Sequence, residues 1–510
     1  MALVILSYLL AIAVALACIA FPAAMFVLVP MSVGSAIVPR ILVSAFGLVA
    51  GCTLLWSLVP QKNEVEVQGV LVDLSKQPRL ASHLEEIAEA MQEPMPSEVY
   101  LIADANAFVT QVSGGSGSGN RRIMGLGLPL LQMLTIAQFR AVLAHEFGHY
   151  YAGDTRLSPI VYSTRQAMAR AFQNLGRKSE VLSFLRRWAV VSAAYFVLMN
   201  AMRMYWKLFM RMTQMISRRQ EYRSDELACH VAGSDALIEG LEKIHRCSAA
   251  IGAYWNSIVF PITACGFRPQ LAEGFQHFMD APQIAKATAD SLVKRITETK
   301  SDPFDTHPPL HKRIEAAKRF NLPAPVSAKL SDGFDLPMIS LIDSLDSLES
   351  TLLKKFVPAL AKTELKPIEW ESAGSEIYIP KWRKQVALFF PQLSNVTLSA
   401  LPSLVANPQS ISDHVVGQPG FPLDRKQRES KALEVLSNAL ALCLLDHGWN
   451  LILIPGTFRL ECGDAKLEPA TTIAAMRSGK LTLEQWHEQC AQNHIGDWRM
   501  ASATKELTNA

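Results

Sequence analysis

Two long apolar runs at the N-terminus constrain this chain more than any other feature. Residues 2–29 carry no charged side chain, and residues 41–58 form a second charge-free run. A helix needs about 20 apolar residues to cross a bilayer, and the first run lacks the basic start of a signal peptide. Because soluble helices normally keep a polar face, we predict two transmembrane helices within residues 1–60 rather than a hairpin buried in a soluble core.

Charge and cysteine spacing argue against nucleic-acid binding and against structures built on cysteine. The 49 basic and 46 acidic residues leave a formal net charge of +3, so no nucleic-acid partner is expected. None of the eight cysteines belongs to a C-x-x-C pair. This argues against both a disulfide framework and a zinc site built from thiolates.

Beyond the apolar runs, the hydrophobic periodicity predicts a mainly helical α+β chain. The predicted strands are 98–103 and 107–112, and the predicted helices are 77–92, 188–231, 308–319 and one that starts at Thr135. The Gly/Ser-rich segment 113–119 is predicted to be a hairpin tip, because no helix follows it to form a phosphate loop. The pattern changes near Pro323, which predicts one domain over residues 61–322 and a C-terminal α+β accessory domain over residues 323–510.

The segment His145-Glu-Phe-Gly-His149 is an H-E-x-x-H motif inside a predicted helix. Spacing of four places both imidazoles on one helix face, one turn apart, where they can bind the same ion. Glu146 lies beside them, and a carboxylate there can take the proton of a zinc-bound water that attacks a peptide carbonyl. The alternative is a chance match in which both histidines are ordinary polar residues.

A catalytic zinc ion usually has three protein ligands, so the motif requires one more. Glu221 is the leading candidate, and Asp225 follows it at a spacing that puts both on one helix face. Asp225 could then accept the spare N–H of a ligand histidine. The alternative is a solvated charged face, because several arginines lie beside these carboxylates, and the charge pattern does not decide between the two.

Four blocks of the sequence, in the same order, resemble the HtpX-type membrane zinc metallopeptidases, which are gluzincins related to the type I CAAX prenyl proteases. The blocks are Asn106-Ala-Phe108, Val142-Leu-Ala-His-Glu-Phe-Gly-His149, Ser217-Arg-Arg-Gln-Glu-Tyr-Arg-Ser-Asp-Glu226 and Thr306-His-Pro-Pro-Leu310. The similar stretch runs from about residue 100 to residue 313, whereas residues 323–510 match nothing in the family.

The resemblance implies a gluzincin fold that binds one Zn²⁺ per chain. Its implied ligands are His145, His149 and Glu221, with Glu146 as the catalytic base and Asp225 supporting a ligand. The expected function is a zinc-dependent endopeptidase that acts on membrane-associated or misfolded proteins.

The same resemblance implies a place for the substrate. Asn106, Ala107 and Phe108 would form an edge strand along which an extended polypeptide lies. His307 either stabilises charge in the transition state or is a structural histidine before a proline-started helix. His230, His245 and His311 are interpreted as structural histidines.

Two other functions remain open to test. One is a membrane scaffold or chaperone whose cleft binds polypeptides without cutting them, although Glu146 argues against it. The other is a prenyl-protein protease, which this chain has too few predicted spans to form. The resemblance implies a multi-pass protein of a bacterial inner membrane, in contact with lipid. Basic residues after the second apolar run favour a catalytic domain in the cytoplasm.

A third apolar run, residues 188–202, resembles another membrane span, and it lengthens to Met212 if Arg203, Lys207 and Arg211 snorkel. A single crossing there would place His149 and Glu221 on opposite sides of the membrane. The only room for a return crossing is residues 157–184, which carry too much charge for a lipid-facing helix. We therefore predict that residues 188–212 do not span, but pack on the zinc domain or lie at the membrane surface beside the hairpin.

Overall fold

The computed structural model describes residues 2–28, 37–58, 67–112, 121–151, 170, 189–297, 307–323, 333–415 and 423–501. Over these ranges the chain is mainly helical with three small sheets, which confirms the predicted α+β class. The N-terminal runs form α1 (Ala2–Leu28) and α2 (Ile37–Leu58), which pack against each other. Within the described ranges, no helix combines the length and the apolar character that a membrane crossing requires.

A four-stranded sheet forms one wall of the candidate site. Its strands lie in the order β1 (Gly69–Val72), β2 (Glu98–Ile102), β4 (Arg121–Gly127) and β3 (Ala107–Val112). β2 and β4 are parallel, whereas β1 pairs antiparallel with β2 and β3 pairs antiparallel with β4. β3 is therefore an edge of this sheet. The predicted hairpin tip, residues 113–119, lies outside the described residues.

The helices around the sheet include the three predicted over residues 77–92, from Thr135 and over 188–231, together with two that were not predicted. They are α3 (Pro78–Ala90), α4 (Leu128–Met133), α5 (Ile136–Tyr151), α6 (Ala189–Ala232) and α7 (Ser234–Tyr254). A capping box formed by the segment Thr135-Ile-Ala-Gln138 starts α5, since the Thr135 N–H donates to Gln138 Oε1 at 3.1 Å and the Gln138 N–H donates to Thr135 Oγ1 at 3.2 Å. Phe139, Leu143 and Phe147 then bury the apolar face of α5.

α6 is a continuous helix of 44 residues, roughly 66 Å long at 1.5 Å per residue. Near its start, Met199 and Met202 pack against Phe46 and Ala50 of α2. Its C-terminal part packs along α5. The part of α6 around Met199 and Met202 thus lies beside the N-terminal helices, while the same helix continues to the candidate metal centre. The segment 157–184 lies outside the described residues.

A first hydrophobic core surrounds α5 and extends further than the predicted domain limit. The elements after α7 are α8 (Phe260–Ala264), β5 (Phe267–Pro269), α9 (Leu271–Asp280), α10 (Pro282–Thr297), α11 (Leu310–Phe320) and α12 (Leu345–Phe356). Leu352 and Leu353 of α12 are fully buried in this core. The boundary at residue 323 stays a prediction, but the packing of the first core continues through Leu353.

A second core follows, built from short helices and a three-stranded sheet. Between the two cores, β6 (Lys366–Ile368) pairs with β5, and its Ile368 joins α13 (Trp370–Ala373) and Ile262 in a smaller cluster. The elements of the second core begin with α14 (Ile379–Ala387), α15 (Phe390–Leu393), α16 (Leu401–Ala406) and α17 (Gln409–Ser412). They continue with α18 (Arg425–Asp446), β7 (Asn450–Ile454), β8 (Thr457–Cys462), β9 (Ala465–Leu467), α19 (Pro469–Arg477) and α20 (Leu483–Gln492). Trp382, Leu440 and Trp486 lie at its centre.

Candidate metal centre

The structure brings His145, His149 and Glu221 together. His145 Nε2 lies 3.6 Å from Glu221 Oε2, and His149 Nε2 lies 3.7 Å from Glu221 Oε1. The three candidate ligand atoms all lie within 4.8 Å of one another. A tetrahedral zinc ion with bonds of about 2.0–2.1 Å places its ligand atoms roughly 3.3 Å apart. Two imidazoles and one carboxylate at these separations fit a zinc site that keeps a fourth position open.

A glycine within the motif allows the two ligand-bearing helices to approach. A Cβ on Gly148 would lie 2.9 Å from Ser224 Cα and 3.0 Å from Ser224 Cβ. Both distances are shorter than carbon atoms tolerate without a shift. Ser224 is three residues beyond Glu221 on α6, so this contact sets how near the Glu221 carboxylate comes to α5.

Asp225 lies where it can orient a ligand histidine, as the resemblance implies. The His145 Nδ1 is 2.9 Å from Asp225 Oδ1, which directs Nε2 toward Glu221. Asp225 is fully buried. Burial opposes its ionisation, but the charge of Arg313 and the hydrogen bonds from Arg313 and His145 outweigh it and hold the pKa of Asp225 well below its usual range.

Arg313 is the residue that sequence reasoning missed. Its Nε donates to Asp225 Oδ2 at 2.9 Å and its Nη2 donates to Asp225 Oδ1 at 2.6 Å, a bidentate pair inside the protein. The signal was present in α11, where Leu310, Ile314 and Ala317 form the buried face. Arg313 occupies the same face, and an arginine at a core-facing position needs a buried anion.

His149 is held by a weaker contact on its other nitrogen. Its Nδ1 lies 3.4 Å from the Ser224 hydroxyl. Burial, followed by the positive charge of His145, lowers the pKa of His149 to about 4. The imidazole is therefore neutral near pH 7, and neutral imidazole is the form that binds a metal.

His307 contacts the third candidate ligand. Its Nδ1 is 2.9 Å from Glu221 Oε2, although its own side chain is 55% exposed. Burial opposes ionisation of Glu221, but the hydrogen bond from His307 and the charges of His145 and Arg313 outweigh it and lower the pKa to about 2. Glu221 is thus an anion at neutral pH. Whether His307 stabilises a transition state stays a prediction.

Glu146 lies beside the cluster and faces the sheet edge. Burial raises the pKa of Glu146, while the neighbouring His145 opposes that shift and Glu221 adds to it. The Val109 backbone N–H also contacts this carboxylate. A carboxylate with a raised pKa is better suited to accept a proton near neutral pH than an ordinary glutamate.

The predicted substrate strand lies next to this carboxylate. Ala107 and Phe108 belong to the edge strand β3, and Asn106 directly precedes it with an exposed side chain. β3 packs against α5. The His245 Nδ1 donates to the Leu241 carbonyl at 2.8 Å, and His230 is exposed on α6. Neither His230, His245 nor His311 belongs to the metal-ligating cluster found among the described residues.

Comparisons with known proteins agree with this geometry. The model of peptidase family M48 matches residues 74–321. The protease HtpX of Xylella fastidiosa is 24% identical over 200 residues, which cover 39% of this chain and 66% of that protein. The protease HtpX of Pseudomonas syringae pv. tomato is 24% identical over 222 residues, covering 43% of this chain and 64% of that protein.

A third relative, the protease HtpX of Pseudomonas putida strain W619, is 27% identical over 242 residues, covering 47% of this chain and 70% of that protein. The chain thus spans slightly less than two thirds of the length of the first two relatives. The matched segment contains the histidine pair, Glu221, Asp225 and Arg313. Residues 74–321 therefore match peptidase family M48 and are similar to the HtpX proteases.

Proposed function

We propose that this chain is a zinc-dependent endopeptidase that hydrolyses peptide bonds of protein substrates. The observation that carries the proposal is the meeting of His145, His149 and Glu221 within 4.8 Å, with Glu146 beside them. When bound there, Zn²⁺ would supply a Lewis acid that polarises a carbonyl and acidifies water. The donor set favours zinc among the metals that bind imidazole and carboxylate together.

The side chains around the ion have separate tasks in this proposal. Glu146 takes a proton from the attacking water and delivers it to the leaving nitrogen. Asp225 and Arg313 keep His145 in one tautomer and orientation, because both are buried and joined by two hydrogen bonds. His307 lies against Glu221 and is exposed enough to reach a substrate oxygen.

We further propose that substrates are extended polypeptides that align with β3, and that the chain acts at a membrane. Support for membrane association comes from α1 and α2, on which Leu16, Phe21, Val27 and Trp56 expose between 42% and 81% of their surface. Exposed apolar patches of this kind mark contacts with lipid or another protein. The basic flank after α2 favours a peptidase on the cytoplasmic side, and the similarity to bacterial HtpX proteases favours a bacterial inner membrane, where quality control of membrane proteins would fit.

The decisive experiment compares zinc content and proteolysis in three chains. Wild-type protein should hold about one zinc ion per chain and cleave a casein-type substrate. Glu146→Gln should keep the zinc and lose cleavage by roughly 10²-fold or more, the usual scale for a general base. Glu315→Gln is the matched control, because that side chain is 62% exposed on α11.

Three outcomes would contradict the proposal. Wild-type protein without zinc would move the metal centre elsewhere. Near-normal cleavage by zinc-loaded Glu146→Gln would remove Glu146 as the base. Binding of polypeptides without any cleavage by the zinc-loaded wild type would favour the scaffold function.

Membrane association is tested separately. The full chain should remain in bacterial membranes after a carbonate wash, and release without detergent would argue against a role of α1 and α2 in membrane association.

A further inference from the structure

The edge strand β3 offers its backbone to a substrate at alternate residues only. In an antiparallel pair, the N–H and C=O of one residue point to the same side, and the next residue points to the other side. Val109 lies opposite Met124 of β4, and its carbonyl accepts from the Tyr150 hydroxyl at 2.7 Å. Because this carbonyl has a partner outside the sheet, we infer that the backbone groups of Val109 point away from β4, and by the same alternation so do those of Ala107.

α5 already covers the outward groups of Val109. Tyr150 and Glu146 are four residues apart on α5 and so lie on one face of that helix. The Tyr150 hydroxyl binds the Val109 carbonyl, and the Glu146 carboxylate contacts the Val109 N–H. The carbonyl that a substrate strand would need at this position is thus occupied by a side chain of α5, and the N–H lies near a second side chain of the same helix.

The Tyr150 ring is packed against a basic side chain of β4. The Arg122 guanidinium lies over its ring, 4.6 Å from the ring centre. Arg122 is itself fixed by an ion pair with Glu93 at 2.6 Å, in which the two side chains are only 14% and 12% exposed. The contact with Val109 is therefore part of a packed arrangement across β4, and not a loose surface hydrogen bond.

We propose that Tyr150 closes the substrate-pairing edge at Val109, so that an extended polypeptide pairs with β3 at Ala107 and leaves the sheet there. Tyr150 is a specificity-determining residue in this scheme, and the inference rests on the proposed endopeptidase function. A short pairing segment selects substrates by one or two extended residues at the cleavage point. Such sites occur in flexible or unfolded chains and do not require a long pre-formed strand.

The test measures binding to zinc-loaded chains that carry Glu146→Gln, so that peptides are not consumed. A short fluorescent peptide is compared with versions extended by two residues at either end. With Tyr150 present, extension toward Val109 should leave Kd unchanged. With Tyr150→Ala, extension at that one end should tighten binding roughly threefold to tenfold, the range for a newly formed backbone hydrogen bond.

Two further arms make the result specific. N-methylation of the residue added opposite Val109 should cancel the gain in Tyr150→Ala, since it removes the N–H that pairs with the freed carbonyl. Tyr150→Phe keeps the ring and removes only the hydroxyl. It therefore separates the effect of the hydrogen bond to the Val109 carbonyl from the effect of the ring that fills the space beside it. Tyr378→Phe, in the second core, is the control and should show no change in length dependence.

The outcomes separate this inference from the function it rests on. If the wild-type chain with intact Glu146 cleaves peptides, but extension of the peptide does not tighten its binding to Tyr150→Ala, the proposal that Tyr150 closes the edge at Val109 is refuted. If the chain that retains Tyr150 already binds more tightly when the peptide is extended at either end, the same proposal is refuted without any Tyr150 variant. If zinc-loaded wild type binds peptides and cleaves none, the endopeptidase proposal fails, while the length dependence of binding still reports on Tyr150.

Discussion

Replacing Gly148 by alanine should remove the metal from this protein while leaving every ligand in the sequence. The added Cβ would lie 2.9–3.0 Å from the Cα, Cβ and Oγ of Ser224. Ordinary carbon–carbon contacts are about 3.5–4.0 Å, so α6 must move from α5 by roughly 0.6–1 Å. Because Glu221 is one turn from Ser224, its carboxylate moves in the same direction.

That displacement is large compared with the tolerance of a metal site. The two gaps between Glu221 and the histidines are 3.6 and 3.7 Å, and they would become roughly 4.2 Å or more, against about 3.3 Å for a tetrahedral zinc ion. Overpacking costs about 1–3 kcal/mol, offset by about 1 kcal/mol from the better helix propensity of alanine. We expect a folded chain with at least a tenfold loss of zinc affinity.

Zinc retention after dialysis against a chelator of known affinity measures this loss, and circular dichroism reports whether the helices persist. Gly252→Ala is the matched control, since it adds the same methyl group to helix α7 where nothing lies within 4 Å. It should keep its zinc and be slightly more stable than wild type. Wild-type zinc affinity in Gly148→Ala would show that the close approach of α5 and α6 does not set the ligand geometry.

Two other substitutions test buried charges. Arg313→Met leaves Asp225 buried without its cation and should lower the free energy of unfolding by about 3–5 kcal/mol, with loss of zinc. The control is Arg319→Met, at a side chain 82% exposed on the same helix, which should change neither stability nor zinc content. Equal effects of the two substitutions would refute a stabilising pair between Arg313 and Asp225. Glu349 accepts the Leu271 and Ala272 N–H groups that begin α9, at 2.9 and 2.8 Å, and burial raises its pKa to about 7. A pKa raised in the folded state stabilises the fold most below the unfolded value of 4.5, and this contribution, at most about 3 kcal/mol, is lost as pH rises through 7. Denaturant titrations from pH 4 to pH 8 should show that loss in wild type and a flatter profile in Glu349→Gln; identical profiles would contradict it.

The sequence by itself determined the elements that depend on local spacing. The capping box at Thr135, the spacing of His145 and His149, and the alternation along β3 all follow from chemistry within one helix or one strand, because the helical and extended repeats set which side chains share a face. The H-E-x-x-H motif and the four similar blocks also pointed to peptidase family M48, which the comparison then matched over residues 74–321.

Only the tertiary structure decided what happens between elements. The charge pattern around Glu221 fitted a solvated face as well as a ligand, and the packing excludes the solvated face, because Glu221 and Asp225 are buried while Arg219 and Arg223 are exposed. The contact at Gly148 and the pairing of Arg313 with Asp225 join residues 76 and 88 positions apart in the chain. No periodicity encodes such distances, because they depend on how deeply two helices interlock and on which buried charge finds which partner.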